Sequence, residues 1–147
     1  MSMQLPNAPT MYPEPLVAPM RAELTRIGFA ELRTPDEVDV ALKNSEGTTL
    51  LVVNSVCGCS ARNARPAAAM ALGHAKKPTH LATVFAGQDA EATARARSYF
   101  TGYPPSSPQI GLLKDGELVF MLERWQIEGR PAEEIAQDLV AAFDENC

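Results

Sequence analysis

Cysteine is scarce in this sequence of 147 residues: there are three, at positions 57, 59 and 147. A secreted disulfide framework pairs its thiols, and an odd count with two members separated by one glycine does not fit one. Long apolar runs are missing too. The longest strongly apolar stretch, Leu50-Leu51-Val52-Val53, is far short of the roughly 20 residues that a membrane helix needs. The first twenty residues lack a basic start and are broken by prolines at 6, 9, 13, 15 and 19, so they do not read as a secretory signal. The expected setting is the cytoplasm. Basic residues are in deficit, and a net charge of -5 argues against a nucleic-acid or anionic-membrane surface. Acidic residues are absent from one long window, between Glu46 and Asp89, which holds Arg62, Arg65, Lys76 and Lys77 together with Cys57 and Cys59.

What is present describes one ordinary domain. With 46% hydrophobic and 21% charged residues the chain is not disordered. At this length folding removes roughly 70% of the unfolded surface from water, so neither a metal nor cross-links are needed for stability. The thiols therefore call for a chemical explanation.

The first dozen residues read as a proline-rich arm, residues 1–12, followed by a single domain over residues 13–147. Leu16, Met20, Leu24 and Ile27 fall at helical spacing and predict one buried face ending at Gly28. Residues 29–32 are a short strand candidate. Thr34-Pro35-Asp36-Glu37 is a helix start, with a cap, a proline in the first position and acids in the first turn. Val38 and Leu42, with Ala41 beside them, form the stripe of a helix reaching Asn44. Residues 48–54 are a β-branched and aliphatic run suited to a strand covered on both faces. An alanine-rich helix over residues 63–75, a strand over 80–85 and a helix over 89–100 follow. Residues 109–114 and 117–122 flank Asp115-Gly116, a strong hairpin signal. A last amphipathic helix, residues 131–143, carries Ile135, Leu139, Val140 and Phe143. Alternation of strands and helices implies parallel crossovers and the hairpin an antiparallel pair, giving a mixed sheet of about five strands between helices.

The thiols sit in the turn between the buried strand and the alanine-rich helix. Chemistry in open α/β sheets gathers at the carboxyl ends of strands. A helix N-terminus offers unpaired N–H groups that stabilise a thiolate and lower its pKa. Cys57, the more N-terminal thiol, is expected to face solvent and act as nucleophile, with Cys59 drawn into the first helical turn. A Cys-Gly-Cys disulfide closes a ring of about 11 atoms and is strained, which suits exchange, and Gly58 tolerates the unusual backbone angles this requires. Two other readings compete. Cys57 and Cys59 could recruit His74, His80 or Cys147 as soft metal ligands, although no second ligand pair completes a tetrahedral set. They could also be inert thiols packing as small hydrophobes. Trp125, the only tryptophan, is expected to pack against the last helix, and Cys147 to have no catalytic role.

The run NSVCGCSARNARPAAAMAL from Asn54, the segment SSPQIGLLKDGELVFMLER from Ser106, the IEGRP beyond it and the terminal cysteine together resemble the bacilliredoxin family, thioredoxin-like proteins with a CGC motif. The resemblance implies a thioredoxin-like three-layer α/β/α fold with an extra N-terminal helix. It implies thiol–disulfide exchange without a cofactor, on mixed disulfides between client proteins and bacillithiol, or disulfide isomerisation by the same chemistry. On that basis Cys57 is the attacking thiol and Cys59 the second motif cysteine, with Gly58 between them. Pro108 takes the cis-proline position, and Ser107 beside it presents backbone groups to a client. Pro66 lies near the proline that kinks the active-site helix. Arg62 and Arg65 become candidate contacts for the malate carboxylates of bacillithiol, set against the simpler account of solvated arginines on an alanine-rich helix.

Overall fold

A computed structural model describes residues 10–43 and 45–147. Its elements, in chain order, are α1 Glu14–Thr25, β1 Ala30–Glu31, α2 Pro35–Leu42, β2 Thr48–Asn54, a π-helical turn Ser60–Ala64 running into α3 Arg65–Ala71, β3 His80–Phe85, α4 Ala90–Arg97, β4 Gln109–Lys114, β5 Glu117–Leu122, α5 Arg124–Ile127 and α6 Ala132–Asn146. The five strands form one sheet in the order β1-β3-β2-β4-β5. β2 lies parallel to β3, and β3 parallel to β1; β4 is antiparallel to both β2 and β5.

All seven residues of β2 are buried, as an unbroken aliphatic run in a central strand requires. Its side chains alternate between two cores. Leu50 and Val52 join Ile110, Leu112 and Leu122 under α1, α3 and α6. Leu51 and Val53 join Val84, Leu113 and Met121 under α2 and α4. Ile135, Leu139 and Phe143 of α6 are fully buried, each contributing about 1.5–3 kcal/mol. Ala67, Ala68 and Ala71 give α3 a smooth face on the same core. At the hairpin, Asp115 (φ 51°) and Gly116 (φ 83°) adopt the left-handed pair that an Asp-Gly turn supplies. The expected cap of α2 is also present, with the Glu37 N–H donating to Thr34 Oγ1 at 3.2 Å.

Several expectations are corrected. The inward face of α1 is Val17, Arg21 and Leu24, while Leu16 is half exposed and Ile27 reaches the surface. The cause is Arg21, a buried cation that apolar periodicity does not recognise. It meets Glu14 Oε1 at 2.7 Å, Asp89 Oδ2 at 2.6 Å and Glu31 Oε2 at 3.2 Å, and stacks over the Phe85 ring. The helix expected over 63–75 begins earlier, in the π turn, and ends at Ala71. Pro66 has no N–H and its ring crowds the carbonyl four residues back, so the turn before it widens. The helix expected over 89–100 stops at Arg97, and the four-residue α5 had no separate signal in the sequence. Residues 1–9 of the expected arm, and Asn44, lie outside the described residues. The arm's last two residues follow the turn after β3: the Met11 N–H donates to Gly87 O at 3.0 Å, and the Tyr12 backbone exchanges two bonds with the Gln88 side chain.

Candidate functional site

The end of β2 is fixed before the thiols begin. Asn54 Nδ2 donates to Met20 O of α1, and its Oδ1 accepts from the Ser55 N–H and from Arg65 Nη1. Arg65 Nη1 also donates to Ser55 O at 3.0 Å, and its Nε lies 3.2 Å from Glu23 Oε1. The arginine is 3% exposed. Both sequence readings of Arg65 therefore fail: it is neither solvated nor open to a substrate carboxylate. It holds the strand end, and Ser55 with it, in place.

Cys57 follows as the N-cap of the helical segment, its carbonyl accepting from the Ser60 and Ala61 N–H groups at 3.1 and 3.2 Å. Its Sγ lies 3.2 Å from Ser55 Oγ and 3.9 Å from Ser60 Oγ, and the two hydroxyls are 2.7 Å apart. With Cys57 ionised, Ser55 donates to the sulfur and Ser60 to Ser55, forming a short relay onto the thiolate. Burial opposes ionisation, but the hydrogen bonds from the Ser55 hydroxyl, itself supported by the Ser60 hydroxyl, and from the Ser60 and Cys59 N–H groups outweigh it, so the Cys57 pKa is lowered. Cys59 moves the other way. Burial raises its pKa, and the negative charges of Cys57 and Glu128 raise it further against the opposing Arg124. Both thiols are free and partly buried. The expected contrast in exposure is absent, and the asymmetry comes instead from hydrogen bonding by Ser55 and Ser60, which sequence reasoning passed over. The serines flanking the motif, Ser55 and Ser60, were the available signal.

Gly58 sits in helical backbone and not in the left-handed region, so the free-thiol form does not use the unusual angles expected of it; an alanine Cβ there would stand 2.5 Å from Arg62 Nη2, the movable end of an exposed side chain. Arg62 is thus exposed and folded back over the peptide between the two thiols. Across the sheet, the Ser107–Pro108 bond is cis. Val53 pairs with Gln109, so Pro108 falls opposite Asn54 at the end of β2, next to the thiol turn. Two arginines hold this loop. Arg97 Nη2 donates to Ser106 O at 2.7 Å, while Arg124 donates from its backbone N–H to Ser106 Oγ and from Nη1 to Ser107 O. Arg124 stands within electrostatic reach of both thiols, and its partner Glu128 within reach of Cys59. Arg124 ends the SSPQIGLLKDGELVFMLER segment and Glu128 lies in the IEGRP beyond it, but neither was singled out as a site residue. A cleft of about 460 Å³ opens beside Cys59 between Arg62 and Glu128.

Trp125 does not pack on the last helix. Its indole is 73% exposed and donates to Glu123 Oε2, because the short α5 directs it away from the core that Ile127 enters. His74 meets Asp144 Oδ1 and His80 lies against Glu46 O. Cys147, exposed, ends α6 beside the far end of α3, about 20 Å along the helix from the CGC turn. Among the described residues no three His, Cys, Asp or Glu side chains gather as ligands. The metal-binding alternative is therefore not favoured. Among the same residues no helix is long and apolar enough to cross a membrane.

Comparison with known proteins agrees with this geometry. Residues 12–147 match the family described as disulphide isomerase. A bacilliredoxin of Koribacter versatilis is 58% identical over 137 residues, covering 93% of this chain and 94% of the relative. One from Geobacillus kaustophilus is 56% identical over 137 residues, covering 92% and 94%. Among solved structures, the thioredoxin of Fasciola hepatica superposes with a TM-score of 0.56 at 18% identity, over 81% of this chain and all of its own, which establishes the fold. A helix-capping thiol with a second thiol two residues on, a cis-proline loop beside it and relatives of this closeness lead to one conclusion: the chain belongs to the bacilliredoxins of the disulphide isomerase family and is a thiol–disulfide oxidoreductase of thioredoxin fold.

Proposed function

We propose that this oxidoreductase releases bacillithiol from mixed disulfides on client proteins, in a reducing cytoplasm, with Cys57 attacking and Cys59 following. The observation carrying this reading is the opposite treatment of the two thiols: Ser55 and Ser60 stabilise charge on Cys57, and nothing comparable serves Cys59. The Cys57 thiolate attacks the bacillithiol sulfur. The client–bacillithiol S–S bond breaks as the Cys57–bacillithiol bond forms, and the client departs as a thiolate that takes a proton from water. Cys59, once deprotonated, attacks Cys57 Sγ and expels bacillithiol, leaving a Cys57–Cys59 disulfide that an external thiol must reduce. Alternatively, a second bacillithiol resolves the adduct directly. The initial proton sits on Cys59 because the neighbouring thiolate holds its pKa up, and loss of the Cys57 charge on adduct formation removes that restraint. Ser107 and Pro108 border the turn where the client's chain would lie. Isomerisation of client disulfides begins with the same attack.

The test is mass spectrometry of the full chain incubated with a bacillithiolated client. Cys57→Ala is expected to release no client thiol, and Cys59→Ala to release it once and accumulate bacillithiol on Cys57. Full turnover by both variants, or an adduct on Cys147, contradicts the assignment.

A further inference from the structure

Two arginines reach the surface beside the thiols, and the geometry separates them. Arg62 projects from the widened turn onto the Gly58 peptide with its guanidinium on the open side. Arg124 is anchored at three points: its backbone N–H on Ser106 Oγ at 3.4 Å, Nη1 on Ser107 O at 3.3 Å and Nε on Glu128 Oε2 at 3.2 Å. We propose that Arg124 is the residue that selects the anionic low-molecular-weight thiol, the outer edge of its guanidinium receiving that thiol's carboxylate while the sulfur reacts at Cys57. This inference rests on the function proposed above.

A guanidinium has five N–H donors, and Arg124 commits two of its side-chain donors, one from Nη1 and one from Nε. Three remain, one on Nη1 and two on Nη2, at the outer end of a planar group whose paired donors match a carboxylate bidentately. The side chain is 44% exposed, so that end is reachable. It is also oriented beforehand. The bond to Ser107 ties it to the cis-proline loop, which lies across from the end of β2, so a ligand joined through sulfur to Cys57 meets an arginine that loses little freedom on binding. Arg62 has no such anchor and must give up side-chain rotamers to bind. One negative group stands beside this end, Glu128 on Nε, whose own side chain is 56% exposed. An exposed i,i+4 pair of this kind is weak and can yield to a carboxylate brought close by a covalent sulfur. The bond from Arg124 to Ser107 O has a second effect. It fixes the carbonyl of Ser107 and leaves its second lone pair for an extended client strand, so one loop can border the client while Arg124 meets the small thiol.

The experiment compares two low-molecular-weight disulfides on the full-length protein: oxidised glutathione, which carries carboxylates, and neutral bis(2-hydroxyethyl) disulfide. The rate constant of Cys57 toward each is measured, and the ratio taken. Any general change in the nucleophilicity of Cys57 cancels in that ratio. Arg124→Gln is expected to lower the ratio about tenfold relative to wild type, equivalent to about 1.4 kcal/mol, and Arg124→Lys to lower it less, since the charge stays and the fork is lost. High salt should lower the wild-type ratio and barely affect that of Arg124→Gln. An unchanged ratio in Arg124→Gln, or a loss confined to Arg62→Gln, overturns the inference while leaving the exchange function intact. Failure of wild-type Cys57 to react with either disulfide strikes instead at the function itself.

Discussion

Ser55→Ala offers a direct probe of how the thiol turn works. The Ser55 hydroxyl lies 3.2 Å from Cys57 Sγ and receives the 2.7 Å bond from Ser60, so the substitution removes the inner member of the relay and leaves Ser60 at 3.9 Å. A hydrogen bond to a charged group contributes about 1.5–3 kcal/mol. At about 1.36 kcal/mol per pH unit, its loss raises the Cys57 midpoint by roughly 1–2 pH units. Reactivity does not fall in proportion, because a more basic thiolate is intrinsically more nucleophilic, with a Brønsted coefficient of about 0.4–0.5. Below both midpoints the variant should react about 3- to 16-fold more slowly than wild type, and above both about 2.5- to 10-fold faster, so the two pH–rate curves cross. The assay is the rate of iodoacetamide alkylation against pH in a Cys59→Ser, Cys147→Ser background, where only Cys57 reports, with thermal melting as the check on folding. Superimposable curves would mean that the hydroxyl relay is not what stabilises the thiolate. A variant slower at every pH would point to lost geometry and refute the electrostatic argument.

Two stability predictions accompany it. Burial, above all, raises the Glu31 pKa from 4.5 to about 7, with Arg21 opposing and Asp89 adding to the rise. The folded state therefore favours the protonated acid, and stability is lost as pH climbs from about 4.5 through 7. The single-group linkage relation makes this loss about 2.5 kcal/mol between pH 5 and pH 8. Glu31→Gln should flatten that slope in urea unfolding, and a variant whose stability tracks wild type across the range would show that the buried carboxyl carries no such cost. At Gly111, an added Cβ would stand 2.4 Å from Cε1 of the buried Phe100, so Gly111→Ala should cost about 1–3 kcal/mol through overpacking. A loss below about 0.5 kcal/mol in the same assay would mean that the ring moves aside freely.

Much of the architecture was legible because it depends on local pattern. The β2 run, the Thr34 cap, the Asp-Gly hairpin and the apolar stripe of α6 each declare themselves within a few residues, and alternation of strands with helices limits the topology. The face of α1 was misread because the position facing inward at its centre is an arginine, and a hydrophobicity pattern has no means of crediting a cation whose partners, Glu31 and Asp89, lie elsewhere in the chain. Trp125 was misplaced for a related reason: a large aromatic ring is assumed to be buried, but a four-residue helix leaves it outside.

By itself, the sequence determined which thiols matter and where they stand: a Cys-Gly-Cys at the junction of a buried strand and a helix, with a proline loop placed by topology beside it. Tertiary structure decided how the two thiols differ. The acid-free window around Cys57 and Cys59 is acid-free only along the chain, since folding carries Glu128 to Cys59 and Glu23 to Arg65. The cation poised at the cis-proline loop is Arg124, brought from beyond β5, and the arginine nearest in sequence after Arg62 is spent holding the end of β2. Helical and strand periodicities act over a few residues and can be read from sequence. Coulombic and hydrogen-bond partners depend on distance in space, which is set only when the sheet and its two helical layers close around the turn.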